Sequence, residues 1–83
     1  MRKILIIPEN LLEMGFQKLK GDDFDCGGFY TWFAFYKNGN ELHITYEFDK
    51  DGNFTNGYVE FNGEVLKGRE IKEQDIKFLI ELM

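Results

Sequence analysis

Residues 29–61 read FYTWFAFYK-NG-NELHITYEFDK-DG-NFTNGYVEF, and they hold eleven of the chain's fourteen aromatic residues. Three runs rich in aromatic and β-branched side chains are separated by Asn38-Gly39 and Asp51-Gly52. Both dipeptides favour the positive φ of two-residue type I′ turns, whose twist matches that of flanking strands. The segment is therefore expected to be an antiparallel meander.

Taking each dipeptide as a whole loop sets the register. Phe35 then stands opposite Leu42 and Phe33 opposite Ile44, while Asp49 faces Phe54, Ile44 faces Val59 and Leu42 faces Phe61. Side chains alternate along a strand and opposed residues share a face. One face collects Phe29, Thr31, Phe33, Phe35, Leu42, Ile44, Tyr46, Phe48, Val59 and Phe61, which is the composition of a core. The other collects Tyr30, Trp32, Ala34, Tyr36, Glu41, His43, Thr45, Glu47, Tyr58 and Glu60. Aromatic rings with polar tips here alternate with three carboxylates.

Working outward, Asn62-Gly63 is a third two-residue turn signal, and residues 64–67 return as a fourth strand. Residues 68–69 lead to a helix over Glu73–Leu82. Its Ile76, Leu79, Ile80 and Met83 recur at helical spacing, and Phe78 and Leu82 widen the apolar stripe. That stripe and the apolar sheet face need each other as cover. On the other side, residues 2–7 form a short β-branched run that ends at Pro8. Residues 9–14 read as a short helix, with Gly15 as its left-handed cap and Phe16 folding back on it. Residues 17–20 suit a short strand, and Gly27-Gly28 a bulge or a flexible entry to the long strand. The expectation is one α+β domain over residues 1–83. It has an antiparallel three- to four-stranded β-meander, a C-terminal helix packed on one face and a short N-terminal helix at an edge.

A chain of 83 residues buries only roughly 60–65% of its unfolded surface, so every apolar face needs a cover. No apolar run approaches the ~20 residues that span a bilayer. The apolar run before Pro8 is too short for a secretory signal. A single cysteine, Cys26, excludes an intramolecular disulfide, and the expected compartment is the cytoplasm. Net charge is −5, unevenly spread. Residues 21–64 carry nine acids against two bases, while the flanks carry six acids and eight bases. An acidic meander repels phosphate backbones and disfavours direct nucleic-acid binding. Its charge serves either solubility or attraction to a basic protein surface.

Two constellations invite chemistry and do not supply it. Asp49-Lys50-Asp51-Gly52-Asn53, with Glu60 in the twelfth place, imitates a calcium loop. It has Phe54 where the chain must turn around the ion on a glycine, and Asp-Gly already explains the segment as a hairpin turn. Cys26 lies among Asp22, Asp23 and Asp25, which disfavour the thiolate, so it reads as a small packed residue at the start of a strand. His43, between Glu41 and Glu60, reads as part of a surface pair. No residue is assigned to catalysis, to a cofactor or to a metal.

The aromatic set is the best functional signal. Tyr and Trp bury large areas at little entropic cost, and interleaved carboxylates favour Arg and Lys side chains through charge and cation–π attraction. Tyr30, Trp32, Tyr36, Glu41, His43, Glu47, Tyr58 and Glu60 are expected to bind a basic protein partner, unless residues 1–16 cover that face themselves. The competing class is a small-molecule-binding domain or minor enzyme, with a pocket near Cys26 between the sheet and the N-terminal segment.

Leu11-Leu12-Glu13-Met14-Gly15-Phe16-Gln17-Lys18, then the aromatic strands, then Asp75-Ile76-Lys77-Phe78-Leu79-Ile80 form a layout that covers most of the chain. It resembles small uncharacterised proteins encoded by phages and mobile elements of Bacteroidetes-type bacteria. These open on Leu-x-x-x-Gly-Phe-x-Lys and close on a short apolar helix; the Asp25-Cys26-Gly27-Gly28 segment stands outside their pattern. The resemblance carries no activity or residue role. It implies a setting in which compact acidic proteins block host defence machinery, and so an inhibitor of anti-CRISPR kind.

Overall fold

The computed structural model describes residues 6–25, 27–66 and 71–83. They form, in order, α1 (Pro8–Glu13), β1 (Gln17–Leu19), β2 (Phe29–Lys37), β3 (Asn40–Phe48), β4 (Phe54–Phe61), β5 (Glu64–Val65) and α2 (Glu73–Leu82). Each strand pairs antiparallel with the next, giving one five-stranded meander in the order β1-β2-β3-β4-β5. The α+β class is as expected, with β1 added at the β2 edge. Most of the strand expected over residues 2–7 lies outside the described residues, as do residues 67–70 and Cys26. Ile6 and Ile7 are not in a strand.

The β2–β3 hairpin follows the register read from its turn, from Lys37 opposite Asn40 to Phe29 opposite Phe48. Asn38 and Gly39 both have positive φ, 52° and 80°, as a type I′ turn requires. Asn62 and Gly63 do the same, at 50° and 89°.

The β3–β4 turn departs from expectation. Only Gly52 has positive φ there, at 84°. The Gly52 N–H donates to the Asp49 carbonyl at 3.0 Å, and the Asp49 N–H to the Asn53 carbonyl at 2.9 Å. The loop is thus three residues long, a type I turn closed by a left-handed glycine. The cause is the side chain of Asp49: its Oδ1 accepts the N–H groups of Asp51 and Asn53, each at 2.9 Å. These two bonds, that of Asn53 foremost, hold the Asp49 carboxyl below the usual carboxylate range.

A longer loop shifts the register by one, so Phe54 pairs with Phe48 rather than with Asp49. That puts Phe54 on the core face, edge-on to Tyr46 and Phe48 with ring centroids 6.1 Å away in each case. The ladder then shifts again. Asn56 stands opposite Glu47, leaving Thr55 as an extra residue whose hydroxyl donates to the Glu47 carbonyl at 3.2 Å. One bulge offsets the other irregularity, so Ile44 meets Val59 and Leu42 meets Phe61 as the simple turn implied.

Both helices lie on the same side of the sheet. Phe33, Leu42, Ile44, Tyr46 and Val59 form a buried core with Leu11 of α1, Ile76 of α2, Ile6, Phe16 and Met83. The N-terminal helix is therefore not at an edge but over the sheet, because Leu11 is fully enclosed and the buried Tyr46 hydroxyl donates to the Ile6 carbonyl at 2.7 Å. Its end is fixed by Gly15, φ 103°. The Phe16 N–H reaches back to the Leu11 carbonyl at 3.0 Å and the Gly15 N–H to the Leu12 carbonyl at 3.1 Å, a Schellman motif that drops Phe16 into the core. In α2, Asp75 accepts the Lys72 N–H at 2.9 Å and starts the helix. Ile76 is buried, but Phe78 and Leu82 do not widen the apolar face as expected: they are 59% and 67% exposed. Phe78 lies about 200° around the helix from Ile76, on the far side from the sheet.

Candidate protein-docking face

With both helices on one side, the opposite face of the sheet displays the even-numbered positions of β2. Pairing sets its side chains in rows across the strands. Leu19, Trp32, Thr45 and Tyr58 form one row; Gln17, Ala34, His43, Glu60 and Val65 form the next. Tyr36 and Glu41 lie beyond the second row, and Tyr30, Glu47 and Asn56 beyond the first. The eight residues expected to bind a partner thus share one continuous face. The N-terminal segment, from Ile6 to Phe16, packs into the opposite side.

The rings on this face are ordered. Trp32 and His43 have centroids 5.1 Å apart with planes tilted by 40°, and Tyr36 stands edge-on to His43 at 6.0 Å. Ala34, the residue between Trp32 and Tyr36 on this face and the partner of His43, is fully buried. The Trp32 indole N–H donates to the Lys20 carbonyl at 3.3 Å, so the ring is tethered as well as packed. His43 Nε2 lies 3.2 Å from a Glu41 carboxylate oxygen. Thr45, at 7% exposure, is the floor between Trp32 on one strand and Tyr58 on another.

The electrostatics are one-sided. Among the described residues that the pairing places on this face, three are carboxylates, Glu41, Glu47 and Glu60, and none is Lys or Arg. Lys37, on the helix side, donates instead to the Ile80 carbonyl at 3.4 Å. Among the described residues the carboxylates of Glu47 and Glu60 have no hydrogen bond or ion pair. Each is a charge flanked by rings: Glu60 stands opposite His43 and two residues from Tyr58, and Glu47 stands opposite Tyr30.

Sequence reasoning missed four members of the face. Leu19 and Gln17 enter it because β1 pairs with β2, and Val65 because β5 pairs with β4. Phe24 joins through the turn that precedes β2. There the Tyr30 N–H reaches the Asp22 carbonyl at 3.0 Å, and the Phe24 and Tyr30 ring centroids come within 5.5 Å. No alternation marks Gln17-Lys18-Leu19, whose face is set only by pairing with β2, and nothing local marks Phe24.

The competing pocket centred on Cys26 concerns a residue outside those described. The N-terminal segment contributes Ile6, Leu11 and Phe16 to the buried core on the helix side of the sheet. Among the described residues no three His, Cys, Asp or Glu side chains gather to hold a metal ion, and no helix is long and apolar enough to cross a membrane. No protein-family model, curated protein or solved structure matches the chain.

Proposed function

We propose that this chain is a non-enzymatic interaction protein whose outer sheet face docks on a basic surface of a partner protein. In the phage or mobile-element setting implied by its layout, that docking blocks a host defence protein, as an anti-CRISPR inhibitor does. The observation that carries the reading is the composition of a single face among the described residues: Trp32, Tyr36, His43 and Tyr58 beside three carboxylates, with no Lys or Arg that the pairing places there. Central aromatic residues supply most of the energy of an interface, and surrounding charges steer the encounter and select the partner. The Trp32, His43 and Tyr36 rings are held in place by the Lys20 carbonyl and by each other, so little side-chain freedom is lost on docking.

The test compares immobilised wild type, Trp32→Ala and Glu60→Lys as baits for lysate of the source cell. A partner with a basic surface should be held by the wild type, released as salt is raised, and lost from both variants while each still melts as a folded protein. Equal retention by all three baits would overturn the reading.

A further inference from the structure

Within the docking face, one position is more specific than a general attraction to cations. We infer that Trp32, His43 and Glu60 form an arginine subsite, which selects an arginine side chain of the partner over a lysine. The inference rests on the docking reading and adds the chemical identity of the group that is bound.

Three features carry it. First, the Trp32 and His43 rings pack on each other, 5.1 Å between centroids with planes tilted by 40°, as a two-ring platform beside the small residues Ala34 and Thr45. A planar guanidinium stacks on such a platform; an ammonium makes only a point contact. Second, the Glu60 carboxylate, half-buried and opposite His43, has both oxygens free among the described residues. The neighbouring Glu41 carboxylate is already within 3.2 Å of His43 Nε2. A free carboxylate at the margin of a ring accepts two parallel N–H bonds from the edge of a stacked guanidinium, a geometry that lysine cannot match. Third, the platform is fixed beforehand: the Trp32 indole N–H is held by the Lys20 carbonyl at 3.3 Å, and Tyr36 abuts His43 edge-on. The guanidinium is also the less strongly hydrated cation, so contact with rings strips less favourable solvation from it.

Trp32 is the only tryptophan, so its fluorescence reports on this subsite directly. The intact protein is titrated at low salt with hexa-arginine, hexa-lysine and hexa-glutamine peptides, each blocked at both ends. Hexa-arginine should bind at least ~5-fold more tightly than hexa-lysine, the equivalent of one modest cation–π contact, and hexa-glutamine should leave the signal unchanged. In E60Q, which keeps size and removes charge, the preference for arginine should collapse, while in E64Q, beyond the platform, it should persist. Equal affinity for the two basic peptides would overturn the arginine subsite and leave the docking face standing. An arginine preference unaltered in E60Q would overturn the placement of the subsite at Glu60. Failure of both basic peptides to bind would overturn the subsite, and the capture experiment on the whole partner would then decide the docking face by itself.

Discussion

Glu73, the first residue of α2, grips Asn10 in α1: the Asn10 Nδ2 lies 3.0 and 2.9 Å from its two carboxylate oxygens. The same carboxylate accepts the Ile7 N–H at 3.2 Å, at the start of α1. One negative charge therefore sits at the N-termini of both helices, where unpaired N–H groups favour an anion.

The Asn10 amide, then the Ile7 N–H, hold the Glu73 carboxyl below the ordinary glutamate value. A depressed folded-state value means the stabilisation is present above the unfolded value of ~4.3 and is lost as pH falls through the folded one. Glu73→Gln should therefore lower the melting temperature at neutral pH and flatten its decline below about pH 4.3. Thermal melts of both proteins from acid to neutral pH make the comparison. Parallel curves would show that the clasp contributes nothing.

Tyr46 is buried, and its hydroxyl is bonded to the Ile6 carbonyl. Burial, then the charges of Glu73 and Glu9, push that hydroxyl far above the ordinary tyrosine value. Tyr46→Phe leaves the carbonyl without its partner and should cost ~1–3 kcal/mol in urea unfolding. Tyr58→Phe, on the outer face, should stay within about 0.5 kcal/mol of wild type. The phenol absorbance of Tyr46 should resist titration until the fold gives way at alkaline pH.

Trp32 and Phe33 are neighbours in sequence on opposite faces. Phe33 is 2% exposed in the core, and Phe33→Ala should cost ~3–5 kcal/mol. Trp32→Ala removes a half-buried ring and one hydrogen bond, and should cost less than about 2 kcal/mol. Denaturant melts of the two variants need no partner. Equal destabilisation would mean that the outer face is as enclosed as the core, leaving no surface for docking.

Thr55 is the extra residue in β4, and the pairs on either side of it, Phe48 with Phe54 and Glu47 with Asn56, survive its removal. Deletion of Thr55 should therefore cost about 1 kcal/mol, near the worth of its bond to Glu47. Deletion of Thr45 in β3, whose pairing with β2 has no bulge to absorb it, sets Ile44 beside Tyr46 and forces Tyr46 and Phe48 out of the core or the Asn38-Gly39 turn out of register. That protein should lose cooperative unfolding. If both deletions were equally tolerated, the register would not be what holds the sheet.

Much of this fold is written in local chemistry. Asn38-Gly39 and Asn62-Gly63 adopt the two positive φ values that only a few residue types accept, so their turns and the alternation around them are determined by the dipeptides themselves. Gly15 and Phe16 end α1 by the same kind of local rule, and the spacing of Ile76, Leu79, Ile80 and Met83 sets the face that α2 turns to the sheet. The composition of the two sheet faces, and with it the proposed docking surface, follows from those turns. Other features depend on groups that meet only in the folded chain. Asp-Gly permits two turn types, and the choice at Asp51-Gly52 fell to hydrogen bonds that the Asp49 side chain accepts from the Asp51 and Asn53 N–H groups, after which a bulge at Thr55 restored the pairing. The side on which α1 lies was decided by the reach of Tyr46 to Ile6 and of Glu73 to Asn10, contacts between residues 40 and 63 positions apart. No local pattern encodes such contacts, because their energy appears only once the sheet has formed. That placement leaves Trp32, His43 and Glu60 facing outward.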